Sequence, residues 1–81
     1  MAVSAYVFIK CEEGTILKVA KDISALPEII SCHIVTGPET VWDAIAFLES
    51  ASIDDIDKYV TEKIEPTEGV LSTSTNIVAG E

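Results

Sequence analysis

Residues 27–43, PEIISCHIVTGPETVWD, decide the fold. β-branched residues dominate the first half, and Thr36-Gly37-Pro38 ends that run with residues typical of turns. Strand alternation divides the side chains between two faces: Ile30, Cys32 and Ile34 on one, and Ser31, His33 and Val35 on the other. An acidic and aromatic loop then leads through Asp43 into a second apolar segment, AIAFLE. We therefore expect two strands, with any binding site at the end of the sheet that carries the loop.

The composition is that of a small globular domain. The 81 residues are 48% hydrophobic but only 6% aromatic, which predicts one domain, residues 1–81, with an aliphatic core. So small a domain cannot easily hide this much apolar surface. We therefore expect part of that surface to meet a second copy of the chain.

The charge balance argues against two classes of partner. Fourteen acidic residues stand against five lysines, arginine is absent, and the net charge is −9. Nucleic-acid binding needs clustered cations, and an anionic membrane repels an acidic chain, so neither partner is expected.

The two cysteines come without a secretory signal or an apolar segment long enough to span a membrane. This usage predicts reduced thiols in a cytoplasmic protein.

The remaining segments give the order of elements. Alternation predicts a first strand over Val3–Cys11, and helical spacing predicts helices over 15–26 and 52–64, with Thr15 and Ser52 as N-caps. Further strands are expected over 44–49 and 70–79. The order is βαββαβ, and right-handed crossovers then give a ferredoxin-like α+β fold. It has an antiparallel four-stranded sheet with both helices on one face.

The helices can cover only one face of that sheet. The opposite face is predicted to carry Tyr6, Phe8, His33 and Val35. These side chains are too apolar to leave in water, so we expect a second sheet to pack on them. The expected assembly is a homodimer of the dimeric α+β barrel type, or a higher oligomer.

At this point the sequence resembles a known family. The pattern PE-x-x-x-CH-x-VTG, followed by an aspartate and an apolar strand, is similar to the effector-binding (RAM) domain of the Lrp/AsnC transcription regulators. Three further segments resemble the same domain: AYVFIKCEEG, SIDDIDKYVTEKI and GVLSTSTNIV. The chain starts at the first strand, so it resembles the stand-alone members without a helix-turn-helix domain. The resemblance implies transcriptional regulation through homo-oligomers or through association with full-length regulators.

The resemblance also implies an amino-acid ligand at the loop. The family places its aspartate three residues after the glycine, where this chain has Thr40. We align Asp43 with that aspartate, which inserts about three residues around Thr40-Val41-Trp42. The implied ligand contacts are Thr36, Gly37, Pro38, Glu39, Trp42 and Asp43.

The chain has no arginine to clamp the ligand carboxylate, so the backbone amides of the 36–39 turn are its expected partners. Asp43 is expected to bind the ammonium group, and Trp42 or Val41 to form the side-chain wall. Glu39 is expected to disfavour acidic ligands.

Other interpretations are weaker. Cys32 and His33 are neighbours in a strand and point to opposite faces, so they cannot share a metal ion, and no metal or cofactor is predicted. Cys11 and Cys32 lie on strands that are not adjacent in the predicted order, which argues against a disulfide.

Two functional alternatives stay open: a small dimeric-barrel enzyme of the monooxygenase kind, and a purely structural oligomerisation module. We expect no enzyme, because no acid accompanies Ser31 and His33.

Overall fold

The computed structural model describes residues 2–79. Its elements follow the predicted βαββαβ order. They are β1 (Val3–Cys11), α1 (Ile16–Ser24), β2 (Ile29–Ile34), β3 (Ala44–Ser50), α2 (Ile53–Tyr59), a π-helical turn (Val60–Ile64) and β4 (Val70–Ile77). The four strands form one antiparallel sheet in the order β2-β3-β1-β4. The ferredoxin-like prediction is confirmed, because strands β1 and β3, which are joined through α1 and β2, lie side by side in the centre.

The core lies between the sheet and the two helices. Alternate residues of the two central strands are fully buried against apolar residues that recur at helical spacing. The buried residues are Ala5, Val7, Ile9, Cys11, Val19, Ile23, Ala44, Ala46, Leu48, Ile56, Val60 and Ile64. All are apolar or cysteine, so the core is aliphatic, as the composition predicted.

The two helix starts differ from each other. Ser52 caps α2 as predicted, because the Asp55 amide donates to its side-chain oxygen at 3.1 Å. Thr15 occupies the N-cap position of α1 as predicted, but its side chain makes no capping hydrogen bond to the helix. Its hydroxyl donates instead to the Glu12 carbonyl at 2.7 Å, so it closes the turn before α1 rather than capping the helix. The helix also ends at Ser24, two residues before the predicted end.

The edge strand β2 contains an irregularity that the alternation rule does not foresee. The register against β3 shifts between Ile29 and Ser31, so that Ile29 packs on the core and Ile30 is 57% exposed. The predicted grouping of Ile30 with Cys32 and Ile34 was therefore wrong at Ile30. A β-bulge inserts one extra residue, which breaks the period of two on which the prediction depended.

The sheet face opposite the helices is called the open face here, and it is formed by the side chains that alternate with the core residues. Cross-strand pairing places its non-polar and aromatic members side by side: Tyr6 opposite Phe47, and Phe8 and His33 opposite Ile45. The placement of Tyr6, Phe8 and His33 on this face is confirmed. Val35 lies one residue beyond the end of β2, and its amide still donates to the Asp43 carbonyl at 3.0 Å.

Candidate functional site

Asp43 joins the ends of three strands. Its backbone amide donates to the Ile9 carbonyl at 2.9 Å, and its carbonyl accepts from the Val35 amide at 3.0 Å. Its carboxylate Oδ2 accepts from the Cys11 amide at 2.8 Å, at the point where the β1–β4 register shifts. The side chain of Asp43 is therefore held in place by β1 rather than pointing freely from the loop.

A cleft of about 370 Å³ opens beside this carboxylate. It lies where β1 ends, and its walls come from the turn after β1, the start of α1 and the start of β4. The lining residues are Lys10, Cys11, Glu13, Gly14, Ile16, Asp43 and Leu71. Small-molecule sites are roughly 300–1,000 Å³, so the cleft has room for a small ligand.

Both signs of charge are present in the cleft. The Lys10 ammonium lies 3.6 Å from Asp43 Oδ2, and Glu13 adds a second carboxylate to the wall. The side chain of Lys10 is 45% exposed and that of Asp43 is 19% exposed. An ion pair this exposed contributes little to stability, so both groups can change partners at small cost. A ligand with one positive and one negative group can be matched here.

Only one of the six predicted ligand contacts lines this cleft. Asp43 does so, whereas the turn residues are exposed, and the structure does not bring them to the cleft. The exposed turn residues are Thr36, Gly37, Pro38 and Glu39. Trp42 is also separate from the cleft, because its ring stacks on Phe8 with centroids 6.1 Å apart. The sequence did not indicate Lys10, Glu13 or Leu71.

The open face carries two aromatic pairs. Tyr6 and Phe47 have ring centroids 4.8 Å apart, and Trp42 extends the face by stacking on Phe8. Tyr6 is 47% exposed, which is a large exposed fraction for an aromatic residue in the centre of a sheet. Ile45 and Phe47 were missed, although their alternation with the buried residues of β3 could have identified them.

The cysteines and histidine show no metal site in the part of the chain that the structure describes. Within residues 2–79 no group of three or more His, Cys, Asp or Glu side chains is placed to hold an ion. Cys11 and Cys32 are free thiols. Their strands β1 and β2 are separated by β3, in agreement with the predicted strand order. Burial raises the pKa of both thiols, and the Asp43 carboxylate adds to the increase in the pKa of Cys11.

No helix among the described residues is both long enough and apolar enough to cross a membrane.

Comparison with known proteins identifies the family. The Lrp/AsnC ligand binding domain matches residues 4–81, which is almost the whole chain. The chain belongs to this family. The sequence resemblance drawn from the strand-loop-strand segment is therefore confirmed over the other elements as well.

A curated relative of this Lrp/AsnC domain is an uncharacterized HTH-type transcriptional regulator of Pyrococcus furiosus. It is 29% identical over 80 residues, which cover 95% of this chain and 51% of that protein. The chain spans about half the length of the curated relatives it matches.

Solved structures share the fold. A protein from Thermus thermophilus superposes with a TM-score of 0.86 at 26% identity, covering 98% of this chain and 95% of that one. E. coli AsnC superposes with a TM-score of 0.85 at 20% identity, covering 98% of this chain and 52% of AsnC. The Lrp/AsnC domain described here thus matches both a protein of similar length and part of a longer regulator.

Proposed function

We propose that this chain is a regulatory effector-binding domain whose ligand is an amino acid. Its membership of the Lrp/AsnC ligand binding domain family and the transcriptional regulators among its relatives support a regulatory role. The proposal assigns the chain a binding role and no chemical step.

The observation that carries the proposal is the cleft beside Asp43. An amino acid brings a cation and an anion into the site, and both must be satisfied when they leave water. The cleft offers Lys10 for one charge and two carboxylates, Asp43 and Glu13, for the other. Of the six ligand contacts expected from the sequence, the proposal retains Asp43, because it alone lines the cleft.

The proposed action is self-association through the open face. Its aromatic and aliphatic side chains form a contiguous apolar surface across β1, β3 and the end of the loop. Two such faces from two copies would pack as the dimeric α+β barrel that the fold suggests. With a net charge of −9 and no arginine, the chain itself is proposed not to bind DNA.

The test is a thermal-shift screen of the purified chain against the common amino acids. A ligand that binds only the folded state stabilises it by about 2.7 kcal/mol at 100 times its Kd, which raises the midpoint of a domain of this size by roughly 10–20 °C. We expect at least one amino acid to do so, with calorimetry giving the affinity. If no amino acid raises the midpoint, the effector proposal fails and a purely structural oligomerisation module becomes the better explanation.

A further inference from the structure

We infer that His33 makes association through the open face sensitive to pH, so that two copies of the chain separate when its imidazole is protonated. This inference rests on the self-association proposed above and goes beyond it. The proposal names the face that associates, whereas the inference names the residue that controls the association.

The open face is built in rows, because residues that pair across adjacent strands project from the same side of the sheet. Two complete rows cross all four strands from β2 to β4. The first row is His33, Ile45, Phe8 and Ser74, and the second is Ser31, Phe47, Tyr6 and Asn76. The two inner strands thus supply apolar and aromatic side chains, and the two outer strands supply histidine, serine and asparagine.

These two rows contain no carboxylate and no lysine, although the chain has fourteen acidic residues and five lysines. The charged groups of the face lie beyond the rows. Lys10 follows the first row, with Asp43 at 3.6 Å from its ammonium group. Glu49 follows the second row, where it accepts from the Ser4 hydroxyl at 3.0 Å.

The absence of charge from the two rows favours a second copy as the occupant of this face. Two chains that each carry a net charge of −9 repel, so they approach most easily through a surface from which the charges are missing. A strongly charged partner would find no group in these rows to pair with. Covering the aromatic and aliphatic side chains then supplies the favourable free energy.

His33 is the one side chain in these rows that gains a charge between about pH 5 and 8. It is exposed in the single chain, where water solvates both forms of the imidazole. Its neighbour across the strand pair is Ile45, and Ser31 lies next to it along β2 on the same face. Neither side chain can neutralise a protonated imidazole.

Covering the face removes the water that solvates this charge. The covering sheet is a copy of the same face, so the charged groups that it brings lie again beyond its rows, at Lys10, Asp43 and Glu49. Asp43 is already held by the Cys11 amide at 2.8 Å and paired with Lys10. Desolvation disfavours the protonated form of a histidine, and each dimer covers two of them. The separate chains therefore take up these protons more readily, and by linkage the dissociation constant of the dimer rises as pH falls.

The carboxylates of the chain act in the opposite direction. As pH falls they take up protons, the net charge of −9 becomes smaller, and repulsion between two copies decreases. The overall charge thus predicts tighter association in acid. A dimer that weakens on mild acidification therefore requires a titrating group inside the interface.

Analytical ultracentrifugation of the purified chain at about pH 7.5 and about pH 5.5 tests the inference. The dissociation constant of the wild-type dimer should rise roughly 10- to 100-fold between these values, because two histidines per dimer lose a proton on association. The emission of Trp42 extends the measurement to lower concentrations. It is the one tryptophan of the chain, and its ring stacks on Phe8 in the same face.

Two variants assign the effect to the position of the histidine. His33→Gln keeps hydrogen-bonding groups without a titratable charge, so its dimer should not weaken at the lower pH. The double variant His33→Gln/Leu17→His moves the one histidine to a residue of α1 that is 78% exposed. It should behave as His33→Gln does. Circular dichroism at both pH values checks that each protein is folded.

The outcomes separate this inference from the proposed self-association. If the wild type forms a dimer whose dissociation constant is unchanged or lower at the lower pH, the inference is wrong and the self-association proposal stands. An equal weakening of the wild type and His33→Gln would also overturn the inference, because another group would then be responsible. If the wild type is a monomer at both pH values, the proposed self-association fails and the inference fails with it.

Discussion

The Asp43 carboxylate accepts a hydrogen bond from the Cys11 amide at 2.8 Å, across 32 residues of chain. The register between β1 and β4 shifts at Lys10 and Cys11, and the Cys11 amide is satisfied by a side chain there. Asp43 therefore has a structural role as well as the binding role proposed for it.

The structural role predicts a difference between two substitutions of Asp43. Asp43→Ala leaves the part-buried Cys11 amide without its acceptor, which should lower the free energy of unfolding by about 1–3 kcal/mol. Asp43→Asn keeps a side-chain oxygen that can accept from Cys11, so it should cost clearly less. Urea denaturation of both variants measures the difference. Equal losses of stability would show that the hydrogen bond contributes nothing.

The strands and helices could be predicted because apolar residues change their period from two to 3.6 along the chain. The β2 bulge could not, because Ile29 and Ile30 are the same residue type and only packing against β3 decides which one is buried. The family resemblance pointed to Asp43. The rest of the cleft was missed because Glu13 and Leu71 lie far from Asp43 in the sequence. The chain brings these three residues together only through its crossovers and at the end of β1.

Gly69 is predicted to be essential for packing, unlike Gly37. Gly69 has a φ of +98°, and a Cβ atom there would lie 2.7 Å from the Val19 side chain. Gly69→Ala should therefore lower the free energy of unfolding by about 2 kcal/mol or more. Gly37 has no positive φ, and a Cβ atom there would meet only Thr40 at 3.9 Å. Gly37→Ala should change stability by less than about 0.5 kcal/mol in the same denaturation experiment. A stable Gly69→Ala variant would contradict the described packing.

The two cysteine thiols predict a pH dependence of stability. Burial raises the pKa of Cys11 and Cys32 above the ordinary value of 9.0, so the unfolded chain loses these protons first as pH rises. Their contribution is fully present below pH 9.0, and the free energy of unfolding falls as pH rises above it. The double variant Cys11→Ala/Cys32→Ala lacks these thiols, so its stability should fall less steeply between neutral and alkaline pH. Parallel pH profiles for the wild type and the double variant would refute this assignment.

The charge of the chain predicts that it does not bind duplex DNA. Five lysines against fourteen acidic residues cannot replace the counterions of a phosphate backbone. We expect no retardation of duplex DNA by the purified chain at moderate salt. A retardation that weakens as salt rises would contradict this expectation and would require a basic surface that the described residues do not show.

The open face predicts self-association, with Phe8 at its centre. Phe8 lies opposite Ile45 and under Trp42, so burial of this cluster between two copies should stabilise a dimer. Each side chain that becomes fully buried contributes roughly 1.5–3 kcal/mol. Phe8→Asp would put a charge into that interface and should convert the assembly to monomers, as measured by light scattering after size-exclusion chromatography at micromolar concentration.

The control for that experiment is Leu17→Asp. It makes the same change of charge at a residue that is 78% exposed on α1, on the opposite side of the sheet from the open face. This variant should keep the mass of the wild type. Circular dichroism of both variants separates dissociation from unfolding, because a folded Phe8→Asp monomer retains the helical signal. The proposal fails if the wild type is itself a monomer at this concentration. It also fails if a folded Phe8→Asp variant keeps the wild-type mass.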